Sequence, residues 1–163
     1  MIRLIRPYVS FDEVEADFRQ MFADGIFTRG RHVEEFRREI ADYCGSQHAH
    51  LTTSATTALG LCLRLLGVGP GDEAVVADFS FPATANVVVE VGARPVFADV
   101  SPVTFNMTPD DLIRRITPRT KAVIAVDVFG NPTGMHEIAQ ICRERGLPLI
   151  EDAACAIGSS ERA

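Results

Sequence analysis

The spacing of apolar residues divides the chain into two parts, and the first part is helical in character. Its two segments repeat apolar residues every three or four positions, a spacing that predicts amphipathic helices. The first segment, SFDEVEADFRQMFADG, opens with Ser10 and Glu13 in capping-box spacing and closes at Gly25. The second, RHVEEFRREIADYCG, stops at Gly45 and carries an apolar face made of Val33, Phe36, Ile40 and Tyr43. We expect residues 1–45 to form an N-terminal helical segment.

In the second part, short apolar runs alternate with helical patterns. The runs predict five strands, namely HAHLTT, EAVVAD, RPVFADV, KAVIAVDVF and LPLIEDA. The stretches between them predict helices at about 54–67, 82–92, 109–117 and 133–146. Strands that are apolar along their whole length are typical of a parallel sheet that is covered on both faces. Residues 46–163 are therefore predicted to form a three-layer, open α/β domain with a mostly parallel sheet.

Composition narrows the class of protein. Apolar residues make up 47% and charged residues 23%, which is typical of a soluble globular chain, and no apolar run is long enough to span a membrane. A net charge of −6 without a basic block argues against a nucleic-acid partner. The N-terminus does not resemble a secretory signal, so we expect a cytoplasmic protein. Four widely spaced cysteines and four scattered histidines indicate reduced thiols and no metal site.

The chemistry is expected where the strands end, because ligands of open α/β sheets bind beyond the carboxyl ends of the strands. Those ends run into TTSATTALG, DFSFPATAN, DVFGNPTG and EDAAC, which are rich in hydroxyl, amide, aromatic and acidic side chains. TTSATTALG places Ser54, Thr56 and Thr57 at the start of a helix. Free N–H groups and the helix dipole favour an anion such as phosphate there, and simple N-capping is the alternative.

Two further side-chain types stand at strand ends. Phe79 and Phe81 are either part of the hydrophobic core, or one of them stacks on the flat ring of a ligand. Asp152 ends an apolar strand, where a carboxylate needs a cation such as a protonated heterocyclic nitrogen or an arginine. Asp99 and Asp127 are interpreted as loop caps. Neither G-x-x-x-x-G-K-S/T nor G-x-G-x-x-G is present, so the chain lacks the fingerprints of ATP and dinucleotide sites.

These motifs together carry a family resemblance. Residues 25–100 and 147–158 closely resemble the pyridoxal-phosphate-dependent sugar aminotransferases of the DegT/DnrJ/StrS group, which have fold-type I. The resemblance covers about residues 20–158. It implies that an amino group, commonly from glutamate, is transferred to a keto sugar on a nucleotide carrier. It also implies pyridoxal 5'-phosphate as cofactor and a homodimer as the working assembly.

The resemblance assigns roles to matching positions. Thr56 and Thr57 fall in the segment that cradles the cofactor phosphate, and Phe81 in the position that stacks on the pyridine ring. Asp152 matches the acid that keeps the pyridine nitrogen protonated and makes the ring an electron sink. Cys155 departs from the family pattern, because Gln or His usually stands there near the 3-oxygen, and a thiol is a poorer hydrogen-bond partner. Asn131, in FGNPTG, is interpreted as a loop residue.

The resemblance also concerns what lies outside the sequence. The family's catalytic lysine follows the acid by some tens of residues, past Ala163. Lys121 is the only lysine, and it begins a strand at the edge opposite the site. The resemblance therefore implies an incomplete cofactor-binding domain over residues 46–163, the N-terminal portion of an enzyme, inactive alone. The alternative is a non-catalytic α/β binding module derived from this fold; a Rossmann nucleotide-binding domain is disfavoured by the missing glycine fingerprint.

Overall fold

The computed structural model describes residues 8–161, and the chain divides into two compact units, residues 1–51 and 52–163. The first unit holds the two predicted helices, α1 (Phe11–Asp24) and α2 (Arg31–Tyr43). α1 ends as predicted at Gly25, whose φ of 67° lies in the left-handed region that glycine adopts without strain. No helix of residues 8–161 is long and apolar enough to cross a membrane.

The start of α1 differs from the prediction. Ser10 occupies the N-cap position, but its side chain makes no capping hydrogen bond, so the predicted capping box with Glu13 is wrong. The first turn of α1 is exposed, and water can therefore accept hydrogen bonds from its free N–H groups. The predicted apolar face of α2 is present as a stripe, but no residue of α2 is fully buried.

The first predicted strand, HAHLTT, is also wrong. Residues 48–53 are irregular, and their main chain makes no hydrogen bond with another segment among the described residues. An extended segment becomes a strand only when a neighbour pairs with its N–H and C=O groups. His48 and His50 consequently do not share a strand face.

The second unit confirms the predicted three-layer α/β fold. Its elements are, in chain order, α3 (Ala55–Leu65), β1 (Glu73–Ala77), α4 (Ala83–Glu90), β2 (Arg94–Ala98), α5 (Pro109–Arg115), β3 (Thr120–Val126), α6 (Met135–Arg145) and β4 (Leu149–Asp152). The strands are parallel throughout and follow the order β2-β1-β3-β4. α5 begins as its sequence predicts, since Thr108 caps it by accepting a hydrogen bond from the N–H of Asp111.

The alternation of side chains along the strands builds one core on each face of the sheet. Ala74 and Val76 of β1 join Ala122 and Ile124 of β3 in the core beneath α3 and α4. The intervening residues of both strands face the core beneath α5 and α6, namely Val75, Ala77, Val123 and Ala125. Because both faces are covered, the ends of the strands are the expected place for a ligand.

A buried carboxylate ties together the amino ends of three strands. Glu73, the first residue of β1, is 1% exposed and accepts hydrogen bonds from Thr117 (2.6 Å), Arg94 (2.6 Å) and Arg119 (2.9 Å). These bonds, that from Thr117 first, lower the pKa of Glu73 to about 2 against the opposing effect of burial. The charged groups at this end of the sheet are thus paired with one another in a structural cluster, and the predicted chemistry lies at the carboxyl end.

Candidate functional site

A cavity of about 350 Å³ opens at the carboxyl ends of β1, β3 and β4. Its walls come from the segments that follow these strands: residues 79–82 after β1, 127–129 after β3, and 154–155 after β4. The lining is mainly apolar, with Asp152 among its few polar residues. An apolar hollow with few, convergent polar groups is the usual form of a small-molecule site. It lies at the edge where the sequence predicts a ligand.

The two phenylalanines after β1 have different surroundings. Phe79 packs in an aromatic cluster, with ring centroids 5.2 Å from Phe105 and 6.2 Å from Phe129. Phe81 takes no part in this cluster and is 73% exposed where it lines the cavity. Phe81 is therefore more accessible to a planar ligand than Phe79, which is 44% exposed.

Two residues of the aromatic cluster adopt backbone conformations that are unusual for their type. Phe105 has a φ of 64° and Phe129 a φ of 56°, both in the left-handed region. Such conformations cost of order 1–3 kcal/mol each and persist where the surroundings hold them. The cluster therefore fixes the shape of the loop after β3 beside the cavity.

Asp152 is the last residue of β4 and is half-buried in the cavity wall. One of its carboxylate oxygens accepts a hydrogen bond from the N–H of Ala154 at 3.2 Å. Within residues 8–161, none of the ion pairs involves Asp152. The arginine partner that was the structural alternative for this acid is therefore not present in the described part of the chain.

The turn that carries Cys155 is held against the loop after β3. The N–H of Ala156 donates to the carbonyl of Ala153 at 2.8 Å, and the Ser159 hydroxyl donates to the carbonyl of Gly130 at 2.8 Å. The two segments approach so closely that a Cβ atom on Gly130 would lie 2.8 Å from the Cys155 carbonyl oxygen. Cys155 is exposed and lines the cavity close to Asp152 in sequence.

Thr56 and Thr57 lie at the start of α3, and both are exposed. Ser54 is the N-cap and accepts a hydrogen bond from the N–H of Thr57 at 3.1 Å, so the capping alternative holds for Ser54. The Thr57 hydroxyl lies 3.0 Å from the Ser54 hydroxyl. Neither threonine lines the cavity, which brings together Phe81, Asp152 and Cys155 of the predicted site residues.

Asp127 is a site residue that the sequence interpretation missed. It was interpreted as a loop cap, as was Asp99, which does accept a hydrogen bond from the N–H of Val100 at 2.8 Å. Asp127 instead is 2% exposed, and its Oδ1 has no partner among the described residues. Burial first, and then hydrogen bonding and charge repulsion from Glu151, raise its pKa to about 7. The available signal was an acid within the apolar run AVDVF.

Asn106 is a second missed residue, and it shapes the loop beside the cavity. Its amide nitrogen donates to the carbonyls of Asn131 (2.7 Å) and Thr133 (3.0 Å), and its amide oxygen accepts from the N–H of Val128 (3.1 Å). Asn106 is buried, so these bonds replace water for both the nitrogen and the oxygen of its amide. No local sequence pattern indicates contacts between residues 22 to 27 positions apart.

Comparison with known proteins identifies the family. Residues 10–162 match the model of the DegT/DnrJ/EryC1/StrS aminotransferase family. The chain belongs to this family. A curated relative, the dTDP-4-dehydro-2,3,6-trideoxy-D-glucose 4-aminotransferase of Saccharopolyspora spinosa, is 43% identical over 98% of the chain. That alignment spans only 42% of the relative, so the chain has less than half the length of the protein it matches.

Solved structures confirm the fold. The aminotransferase TlmJ from Streptoalloteichus hindustanus superposes with a TM-score of 0.90 and 41% sequence identity. The matched region covers 99% of the present chain and 44% of the TlmJ chain. The ntda protein from Bacillus subtilis, solved with bound cofactor PMP, superposes with a TM-score of 0.85 and 35% sequence identity. The matched region covers 92% of the present chain and 35% of the ntda chain. Both likenesses extend over nearly all of this chain.

Proposed function

We propose that this chain is the N-terminal part of a pyridoxal-phosphate-dependent aminotransferase that acts on a nucleotide-linked keto sugar, with an amino acid such as glutamate as amino donor. The observation that carries the proposal is Asp152, a carboxylate without an ion-pair partner among residues 8–161, in an apolar cavity beside the exposed ring of Phe81. The family membership, the sugar substrate named for the Saccharopolyspora relative and the PMP bound to ntda support it.

The residues present fit this cofactor. A cavity of about 350 Å³ is within the usual range for small-molecule sites, roughly 300–1,000 Å³. Phe81 offers a face to a planar ring, and Asp152 offers a charge to a protonated ring nitrogen. The start of α3 offers N–H groups and the hydroxyls of Thr56 and Thr57 to a phosphate. Cys155 is the weakest match, because a thiol is a poor partner for the 3-oxygen.

Each residue then has a definite task. The bound cofactor supplies an electron sink for the negative charge that develops at the α-carbon of the amino donor. Asp152 holds the proton on the ring nitrogen by charge, and Phe81 orients the ring. Thr56 and Thr57 would hold the phosphate through their hydroxyls and the N–H groups at the start of α3. The mainly apolar lining offers few polar groups that would compete with the attraction between Asp152 and the ring nitrogen.

The covalent anchor of the cofactor is not among these residues. Lys121 is the second residue of β3, and the cavity lies at the other end of that strand, about 16 Å away at roughly 3.3 Å per residue. We therefore propose that residues 46–163 supply part of the cofactor-binding domain and have no transaminase activity by themselves. The complete protein is proposed to be a cytoplasmic homodimer, as the family resemblance implies.

The test is an assay of the intact protein that contains this chain. It is incubated with pyridoxal phosphate, ¹⁵N-glutamate and a panel of nucleotide-linked keto sugars, and ¹⁵N in the sugar is measured by mass spectrometry. Transfer to at least one sugar is expected. Cofactor binding without transfer would favour the non-catalytic binding module, and absence of cofactor binding would contradict both.

A second assay uses residues 1–163 alone. With pyridoxal phosphate followed by borohydride, which makes a lysine adduct permanent, no stoichiometric adduct is expected on Lys121. Such an adduct, together with turnover of an amino donor, would contradict the proposal that this chain supplies only part of the cofactor site and is inactive by itself.

A further inference from the structure

Three acids meet where β3 and β4 end. The ladder between these strands pairs Ala125 with Glu151 and Val126 with Asp152, and the N–H of Asp127 donates to the carbonyl of Asp152 at 3.2 Å. Asp127 thus lies next to both acids of β4. The burial of the three differs, since Asp127 is 2% exposed, Asp152 is half-buried and Glu151 is exposed.

No cation compensates this cluster within residues 8–161. None of the ion pairs of the described chain involves Asp127, Glu151 or Asp152. The same residues contain no group of three acidic, histidine or cysteine side chains with the geometry of a metal site. Glu161 adds a further negative charge near Asp127. Among residues 8–161, the buried Asp127 therefore has no cation to neutralise it, whereas Glu151 and Asp152 are in contact with solvent.

A proton can neutralise the buried acid of this cluster, and burial decides which acid binds it. A carboxylate that is removed from water without a donor is strongly disfavoured, and Asp127 Oδ1 is buried without one. Glu151 remains in water, and Asp152 faces the cavity and accepts the N–H of Ala154. When acids crowd together, the least solvated one keeps the proton and its neighbours keep the charge.

We propose that Asp127 is the proton store of this cluster, a positioning residue that holds the shared proton at neutral pH and leaves Asp152 charged towards the cavity. The pKa of about 7 at Asp127 agrees with this assignment. The groups that act on Asp127 are Glu151 and Asp152 from β4 and Glu161 from the following segment, and His136 of α6 acts on Glu161.

The location of the proton matters for the site. Both Asp127 and Asp152 line the cavity, but Asp127 is only 2% exposed. If Asp152 held the proton, the more accessible acid would be neutral, and a neutral acid does not stabilise a cationic ring nitrogen as a carboxylate does. With the proton on Asp127, the cavity keeps the charge of Asp152 without the cost of a second, buried carboxylate. The inference rests on the proposed function for the task of Asp152, but the location of the proton does not depend on it.

The experiment is a ¹³C NMR titration of residues 1–163, labelled at the aspartate carboxyl carbons, without cofactor and from pH 4 to 9. One aspartate is expected to titrate with a midpoint near 7. Its signal should be missing from Asp127→Asn. In Asp152→Asn the signal should remain, with a lower midpoint because a negative neighbour is gone. Asp110→Asn, an exposed acid in the first turn of α5, is the matched control and should leave the midpoint unchanged.

Two results would overturn the proposal. In the first, the near-neutral signal is lost from Asp152→Asn and kept in Asp127→Asn. In the second, every aspartate titrates below pH 5. If Asp127→Asn does not fold, Glu151→Gln decides instead, since loss of that neighbour should lower the midpoint and an unchanged midpoint would contradict the store.

A fluorescence titration of the same chain with pyridoxal phosphate separates this inference from the proposed function. Failure to bind the cofactor with an Asp127 midpoint near 7 would count against the proposed function alone. Cofactor binding without a near-neutral aspartate would count against the proton store alone.

Discussion

The main-chain oxygen of Cys155 and the α-carbon of Gly130 approach so closely that a Cβ atom on Gly130 would lie 2.8 Å from that oxygen. Cβ atoms essentially never lie so near another heavy atom, and the atom in the way is main chain, which cannot rotate aside. Gly130 also has a φ of 81°, in the left-handed region. The contact therefore holds the turn of Cys155, just beyond Asp152, against the loop after β3.

Gly130→Ala is expected to lower the free energy of unfolding by about 2–4 kcal/mol. About 1–2 kcal/mol comes from the left-handed backbone, and the rest from displacing the turn of Cys155. Gly71→Ala is the matched control, because Gly71 has a φ of 94° and nothing within 4 Å of a Cβ atom. Urea unfolding of both variants measures the difference, and equal losses would contradict a specific contact with Cys155.

Asn106→Ala is expected to lower the free energy of unfolding by about 2–4 kcal/mol. The change removes three hydrogen bonds, and it leaves the buried N–H of Val128 without its acceptor, at a cost of about 1–3 kcal/mol. The exposed Asn86 of α4 provides the control variant, Asn86→Ala, which should change stability by less than about 0.5 kcal/mol. An unfolding curve for Asn106→Ala that matches this control would contradict a stabilising role for the three hydrogen bonds of Asn106.

Sequence and structure agree where local pattern decides the outcome. β1 to β4 were predictable because each is a short apolar run between turn residues, and α5 because Thr108 and Pro109 mark its start. HAHLTT has the same local pattern but no pairing partner among the described residues, which a local pattern cannot reveal.

The residues of the candidate site also divide into those that a local motif indicates and those that depend on distant contacts. The roles proposed for Phe81 and Asp152 followed from recognisable motifs. Asp127 and Asn106 were missed because their importance comes from burial and from contacts with residues distant in the sequence.

Acid should weaken the Glu73 cluster. The pKa of Glu73 is lowered from 4.5 to about 2, so between these values the unfolded chain binds the proton more readily than the folded chain. The stabilisation is full above pH 4.5 and is lost as the pH falls towards 2. A shift of this size corresponds to at most about 3 kcal/mol, and less here because both arginine partners are largely exposed.

Glu73→Gln should therefore flatten the dependence of stability on pH between 2 and 4.5, measured by urea unfolding. Glu90→Gln, at the exposed end of α4, is the control and should keep the slope of the parent chain. An undiminished slope in Glu73→Gln would assign the effect to other acids.

Asp127 should act on stability with the opposite sign. Its pKa is raised from 3.8 to about 7, so the folded chain binds the proton more readily, and stability falls as the pH rises through this window. The loss of folding free energy that a pKa shift of this size can cause is at most about 4 kcal/mol. Asp127→Asn keeps the shape of the neutral acid without its charge. It should raise the free energy of unfolding at pH 7 by about 1–3 kcal/mol and leave it nearly unchanged at pH 4. Thermal unfolding at both values, with Asp110→Asn for comparison, measures the difference; an equal gain at both would contradict a charge effect.

Substitutions of Asp152 and Phe81 should affect different properties of the intact protein that contains this chain, the first its turnover and the second its retention of cofactor. Asp152→Asn keeps the shape but removes the charge that is proposed to stabilise a protonated ring nitrogen. A charge-assisted bond of this kind contributes about 1.5–3 kcal/mol, and its loss in the transition state slows turnover roughly 10- to 100-fold. Phe81→Ala should mainly weaken cofactor retention, because stacking acts on ground and transition states alike.

Steady-state kinetics at saturating cofactor, together with cofactor titrations, separate the two effects. Phe97→Ala is the control for loss of a ring, since Phe97 is a partly exposed residue of β2 outside the cavity. Unchanged turnover in Asp152→Asn together with abolished turnover in Phe81→Ala would reverse the proposed roles. If Asp152 served only stability, its amide variant would unfold more easily, while the fraction that remains folded would keep the turnover of the parent. The pattern of losses therefore decides whether this acid acts on the cofactor or on the fold.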